Sequence, residues 1–209
     1  IESRTPMHGG FNLDNLLMAV AIAYECGIDP LEMATLIPTL TGAPGRLEAV
    51  SLGQDFTALV DYAHSPDAVI NVLNAVREFT SGRVIAVLGC GGDRDASKRP
   101  LMAAAAESLA DHVVLTSDNP RSESPQAIVQ DMLAGLKMPQ RAHQEIDRAK
   151  AIAHVVKQAS ARDVILIAGK GHEDTQEIAG VKHAFDDRLH AHDALVQRAN
   201  RQTLLGVQA

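Results

Sequence analysis

Apolar positions divide the chain into two regimes. Over residues 11–26, Ala, Leu and Met recur at helical spacing, and Gly27 follows where a left-handed C-terminal cap belongs. A shorter helix is expected from Asp29 or Pro30 to about Leu36, with Asp29 as N-cap and Pro30 at the first helical position. Pro38 stops it, and the string TLTGAPG over 39–45 reads as a linker. Two helices bury too little to make a core of useful size, so they are expected to pack on the rest of the chain or on something outside it.

Beyond Gly45 the pattern changes to strands alternating with helices. Short apolar runs at 56–61 (FTALVD), 83–88 (RVIAVL), 112–116 (HVVLT) and 163–168 (DVILIA) predict strands. Helices are expected over 65–79, 100–110, 125–136, 147–159 and 187–200, with a hairpin over 175–184. Near-continuous Val, Ile and Leu runs joined by helices of this length predict an α/β fold, a mostly parallel, doubly wound sheet covered on both faces. No internal repeat or low-complexity tract interrupts it.

Composition narrows the functional classes. At 209 residues the chain holds one or at most two domains, and 46% apolar against 22% charged residues is the balance of a globular protein with a real core. The net charge of −7 argues against a nucleic-acid or anionic-membrane surface, and 3% aromatics with no Trp weaken any base-stacking role. No apolar run approaches the roughly 20 residues that cross a bilayer. Cys26 and Cys90 are too few for a disulfide framework, which makes a reducing cytoplasm the expected address. The chain opens at Ile1 with no signal-peptide pattern and reads as a piece of something longer.

In an open parallel sheet, ligands bind outside the carboxyl ends of the strands. Four loops there carry charge or glycine: Asp61 to Pro66, Gly89 to Asp95, Ser117 to Arg121, and Gly169 to Glu173. The glycines at 89–92 do not form G-x-G-x-x-G, because the sixth position is Arg94; they serve equally well as a strand-to-helix turn. Arg94, between Asp93 and Asp95, reads either as a surface ion pair or as an anion receptor held by two acids. The stiff Asp118-Asn119-Pro120-Arg121 loop suits a zwitterion, an acid for the ammonium and a guanidinium fork for the carboxylate, although an Asx-turn with a solvated Arg explains the same residues. Gly169-Lys170-Gly171-His172-Glu173 lacks the spacer and the Ser/Thr of a Walker A loop; Glu173 suits a cationic group, with Lys170 and His172 as positioning groups, against a plain charged turn. His183, His190 and His192 lie near Asp186, Asp187 and Asp193, but His190 and His192 cannot share a helix face, so no metal site is expected.

Taken in order, several strings resemble the last two-fifths of a Mur ligase. They are Phe11-Asn12-x-x-Asn15, Gly45-Arg46-Leu47-Glu48, DYAHSPD from Asp61, GCGGDRD from Gly89 with Lys98-Arg99-Pro100, Asp118-Asn119-Pro120-Arg121, GKGHE from Gly169, and Phe185-Asp186-Asp187-Arg188. The resemblance covers essentially the whole chain, and the DNPR string points to the branch that adds meso-diaminopimelate rather than lysine. It implies an ATP-dependent amide-bond ligase acting through an acyl phosphate on UDP-MurNAc-L-Ala-D-Glu, with ATP and Mg2+ as requirements of the full-length enzyme and peptidoglycan synthesis as its setting. It further implies a Rossmann-like C-terminal domain over 44–209, preceded over 1–43 by the helical tail of a central ATPase domain. Carried over by position, the diaminopimelate site comprises Arg94, Asp118, Asn119, Pro120, Arg121, Gly169 and Glu173. Asn15, Arg46, Asp61 and His64 fall where relatives face ATP, although Asn15 serves equally as a helix brace. The N-terminal uridine-nucleotide domain and most of the central domain, with its Walker A loop, are expected to lie outside this chain, which is expected to be inactive alone and to hold no cofactor by itself. A lysine-adding or other superfamily ligase, and a non-catalytic binding module of the same fold, are the alternatives.

Overall fold

The computed structural model describes residues 2–204. Its first helix, α1 (Gly10–Glu25), ends as expected at Gly27, whose φ of 85° turns the chain so that the Ile28 N–H reaches the Ala23 carbonyl at 3.1 Å. Helix α2 (Pro30–Leu36) starts where proline and a cap coincide, with Asp29 Oδ1 accepting from the Leu31 N–H at 2.8 Å. These two helices bury Leu16 and Met33, leave Leu13, Leu17, Met18 and Leu31 exposed, and join neither of the two core layers described below.

Six strands form a mixed sheet in the order β1 (Glu48–Val50), β2 (Thr57–Asp61), β6 (Val164–Ala168), β3 (Val84–Cys90), β4 (His112–Ser117) and β5 (His143–Gln144). All pairings are parallel except β1 with β2. Strand β3 runs two residues past the expected end because Gly89 and Cys90 continue the ladder opposite Thr116 and Ser117. The edge strands β1 and β5 were not anticipated: three and two residues carry no readable periodicity. The hairpin β7 (Thr175–Ile178) and β8 (Val181–Ala184) forms its own two-stranded sheet.

Alternation along the central strands sorts the core. Val84, Ala86, Leu88, Val164 and Leu166 face α3 (Pro66–Phe79), α4 (Lys98–Leu109) and α5 (Pro125–Leu133). Ile85, Val87, Ile165 and Ile167 face α6 (Arg148–Gln158) and α7 (Asp187–Leu204). Burying each such side chain contributes about 1.5–3 kcal/mol, so the fully apolar strands hold the sheet between two helical layers. Local caps start the helices: Ser65 Oγ accepts from the Ala68 N–H at 3.3 Å and Asp147 Oδ1 from the Lys150 N–H at 3.2 Å. The expected helix over 125–136 stops at Leu133, and the last helix runs on to Leu204. Among the described residues no helix is long and apolar enough to cross a membrane.

Candidate functional site

The chain leaves β3 for α4 on one face of the sheet and leaves β6 by way of the hairpin for α7 on the other. A crevice therefore opens at the carboxyl edge between them. A cleft of about 490 Å³ lies there, and the loops after β2, β3, β4 and β6 all contribute to it. Of the residues singled out for the amino-acid ligand, Arg94, Asp118, Asn119, Arg121, Gly169 and Glu173 line this one cleft. Pro120 does not; it is a buried spacer whose carbonyl accepts from the Glu123 N–H at 3.0 Å.

The loop after β4 is fixed from three sides. Asp118 Oδ1 accepts from the Asn119 N–H at 2.6 Å, and the Gln176 side-chain amide donates to the Asp118 carbonyl at 2.7 Å. The Gly92 N–H donates to the Asn119 carbonyl at 2.9 Å. Arg121, at φ 52°, donates its N–H to the Glu177 carbonyl at 3.0 Å and turns its Nη1 back onto the Gly92 carbonyl at 2.6 Å. The loops of β4 and β6 approach so closely that a Cβ on Gly169, at φ 120°, would stand 2.6 Å from Asp118 Oδ2. Only glycine meets both conditions.

Glu173 carries the anionic side of the cleft. Its Oε2 accepts from Lys170 Nζ and from Asn119 Nδ2, both at 2.8 Å, and its side chain stays one-third exposed. Partial burial raises the Glu173 pKa, but the bonds from Lys170 and Asn119 outweigh it and hold the carboxyl below the ordinary glutamate range. Lys170 itself is fully buried.

The cationic side comes from the loop after β3. Arg94 lines the cleft with no ion pair among the described residues, and Lys98 stands beside it. The expectation that Asp93 and Asp95 hold Arg94 is not met, because each acid is engaged by a serine. Asp93 accepts from Ser122 Oγ and Asp95 from Ser97 Oγ, both at 2.6 Å, and these bonds lower both carboxyls. Arg99, to which the sequence assigned no role, is buried under the loop. It pairs with Glu123 at 2.7 Å and Asp131 at 2.8 Å and reaches the Gly91 carbonyl at 3.3 Å, which braces the loop that carries Arg94.

Of the four residues expected to face a nucleotide, Arg46, Asp61 and His64 gather around Tyr62, and Asn15 stands apart from them. Asn15 stands exposed on α1. Asp61 is buried, and its two oxygens accept from the Leu47 and Ala63 N–H groups at 2.9 and 2.8 Å; burial raises its pKa, with those two bonds opposing. Both oxygens are thus engaged in bracing the chain around β2. Exposed His64 lines the same cleft as the amino-acid residues. Arg46 lies over the Tyr62 ring at 5.2 Å, and that ring also contacts His64 and His172, with centroids 4.7 and 5.3 Å away. Among the described residues no three His, Cys, Asp or Glu side chains gather to hold a metal ion.

Beneath the cleft lies a pairing that no local pattern announced. Arg148 and Asp187, 39 residues apart and without exposed side-chain surface, form a two-point ion pair at 2.7 Å. The same guanidinium donates to the carbonyls of Ser117 at 3.2 Å and Ala168 at 3.0 Å, which tethers the carboxyl ends of β4 and β6.

Comparison with known proteins adds the following. The family description "Mur ligase, glutamate ligase domain" matches residues 45–171. The UDP-N-acetylmuramoyl-L-alanyl-D-glutamate–2,6-diaminopimelate ligase of Streptomyces avermitilis is 51% identical over 202 residues, 94% of this chain and 40% of that protein. Its Vibrio cholerae counterpart is 47% identical over 194 residues, covering 93% of this chain and 39% of that protein. A solved structure of a ligase of the same name superposes with a TM-score of 0.77 at 44% identity, over 94% of this chain and 40% of that one. The chain thus spans about 40% of the length of the relatives it matches.

Proposed function

Because the chain belongs to the Mur ligase family, we propose that it is the amino-acid-receiving segment of an ATP-dependent amide-bond ligase that adds meso-diaminopimelate to UDP-MurNAc-L-Ala-D-Glu. In this reading, residues 44–209 are the amino-acid-binding domain and residues 1–43 the tail of the central ATPase domain, in a cytoplasmic setting. The observation that carries it is the pairing of opposite charges in one cleft. Glu173 and Asp118 share with Arg94 and Arg121 the lining of one cleft of about 490 Å³, room for a small zwitterion. The far end of diaminopimelate carries an ammonium and a carboxylate on one carbon. Glu173, with the carbonyl of Gly169, takes the ammonium, and the guanidinium of Arg94 or Arg121 takes the carboxylate. Lysine has no carboxylate there and leaves a guanidinium without its partner, which is the basis for rejecting it.

In this reading the γ-phosphoryl of ATP passes to the D-glutamyl carboxylate and ADP leaves; the near amine of diaminopimelate, as its free base, attacks that acyl phosphate, and inorganic phosphate and the amine's proton leave as the amide forms. This chain's part is to hold the amine donor by its far end so that attack is effectively intramolecular. The sequence contains no Walker A string, so in this proposal the phosphate cradle and magnesium ligands come from outside the chain. Arg46, His64 and Asn15 remain proposed contacts to ATP; Asp61 contributes by bracing the loop that carries Arg46.

The test is Arg121→Ala in a complete ligase that carries this chain. Loss of a charged hydrogen-bond partner is worth about 1.5–3 kcal/mol, so kcat/KM for diaminopimelate should fall about tenfold to a hundredfold with the KM for ATP unchanged. A panel of diaminopimelate, lysine and glutamate separates this reading from a lysine-adding relative. Unchanged amino-acid KM and turnover in both Arg121→Ala and Arg94→Ala would refute the assignment.

A further inference from the structure

Lys170 is fully buried, does not line the cleft, and binds two residues that do. Its Nζ lies 2.8 Å from Glu173 Oε2 and 3.1 Å from Asn119 Oδ1. The Glu177 N–H approaches the same Asn119 atom at 3.0 Å. An ammonium and a backbone N–H are both donors only, so the Asn119 atom they share must be its oxygen. The amide nitrogen is thereby directed at Glu173 Oε2, 2.8 Å away. Three side chains thus close a triangle in which every orientation is determined. One oxygen of Glu173 receives both internal bonds, while Oε1 has no partner among the described residues and belongs to a side chain one-third open to the cleft. One of the two Asn119 amide hydrogens is used internally, which leaves the other for a ligand carboxylate.

We infer that Lys170 is the positioning residue of the amino-acid site: its buried ammonium orients Asn119 and fixes one oxygen of Glu173, which leaves the other free for the ligand's ammonium. The inference deepens the proposed function and rests on it. Lys170 touches no substrate and acts only through its two partners. Without the ammonium, Glu173 loses a fixed charge partner and gains a proton at higher pH, and Asn119 is free to flip its amide.

The test is Lys170→Met in a complete ligase carrying this chain, a substitution that keeps the length of the stem and removes the charge. The KM for diaminopimelate should rise by about tenfold or more, with the KM for ATP within about twofold of wild type and kcat reduced less. The acid limb of kcat/KM for diaminopimelate should move to higher pH. Because the effect passes through Glu173, adding Lys170→Met to Glu173→Gln should cost far less than Lys170→Met costs alone. A role confined to stability would lower activity toward all substrates together and leave the pH limb in place; that result overturns the inference, as does an unchanged diaminopimelate KM. If the variant does not fold, carbon-13 titration of the Glu173 carboxyl in the wild-type chain decides. A midpoint below the ordinary glutamate value of about 4.3 supports the inference, and one at or above it overturns it. A wild-type ligase that fails to use diaminopimelate overturns the proposed function and this inference with it. A wild type that uses it, with a Lys170→Met variant that matches it, overturns this inference alone.

Discussion

Asp187→Asn removes the charge that balances Arg148 without changing the size of the side chain. The guanidinium has no exposed surface and is matched by both Asp187 oxygens at 2.7 Å, so the variant leaves a cation in the interior with no counter-charge. Its acceptors are then only the neutral amide oxygen of the new side chain and the Ser117 and Ala168 carbonyls, and an amide NH2 is set against a guanidinium donor. Breaking a buried pair by removing one partner costs about 3–5 kcal/mol, and a chain of this size loses about 2–4 °C per kcal/mol, so Tm should fall by about 6–20 °C. The double variant Arg148→Met with Asp187→Leu removes both charges and should recover part of the loss. Recovery should be incomplete, because the two strand-end carbonyls then lack their donor, at about 1–3 kcal/mol each if they stay buried. Thermal unfolding of the chain followed by circular dichroism reads all three proteins. An Asp187→Asn variant within about 1 kcal/mol of wild type would refute the reasoning, because an uncompensated interior charge cannot be that cheap. A double variant less stable than Asp187→Asn would show that the carbonyl tether, rather than charge balance, is the dominant part.

Two further outcomes follow from buried titratable groups. Burial, with the Asp118 charge adding to it, pushes the Cys90 thiol up to about 12, whereas Cys26 is exposed. Iodoacetamide at pH 8 should therefore add one label, at Cys26, in the native chain and two after unfolding; two native labels at comparable rates would contradict the packing of Cys90 against Met102. At the other end of the sheet, burial raises the Asp163 pKa, but its bonds from Arg83 and the Ser160 N–H outweigh this and leave it below the usual aspartate range. A depressed folded-state value means that the unfolded chain takes up the proton first as pH falls. The Asp163 contribution is therefore complete above the unfolded value of about 3.9 and is lost as pH drops through the folded value. Urea midpoints of wild type and Asp163→Asn should differ at pH 6 and converge in acid; a gap independent of pH would contradict this.

Which features were legible in the sequence follows from how far apart their causes lie along the chain. The strands of the central sheet are continuous apolar runs, and the ligand loops follow them directly, so a rule about the carboxyl edge was enough to bring Arg94, Asp118, Asn119, Arg121, Gly169 and Glu173 into one cleft. Pairings between distant segments were not legible. Arg148 meets Asp187 across 39 residues and Arg99 meets Asp131 across 32, and each side chain looks locally like a solvated charge on a helix. The bracing role of Asp61 was hidden for the same reason: an acid at a strand end suits a ligand or two backbone N–H groups, and the bond from Leu47, 14 residues earlier, appears only when the chain returns. The hairpin was legible as an element but not as a wall. Its Gln176 and Glu177 secure the Asp118 carbonyl, the Asn119 amide and the Arg121 N–H from 56 to 58 residues away. The site is accordingly composed of two kinds of residue. Those that line the cleft sit on loops whose position the sheet dictates, and their chemistry can be read from their types. Those that hold them in register (Lys170, Arg99, Arg148 and Gln176) are charged or polar groups withdrawn from water and paired with residues elsewhere in the chain, Arg99 Nε being the one nitrogen of theirs left without a partner among the described residues. Burial is the property that separates the two kinds, and burial is a consequence of the fold that residue type alone does not carry.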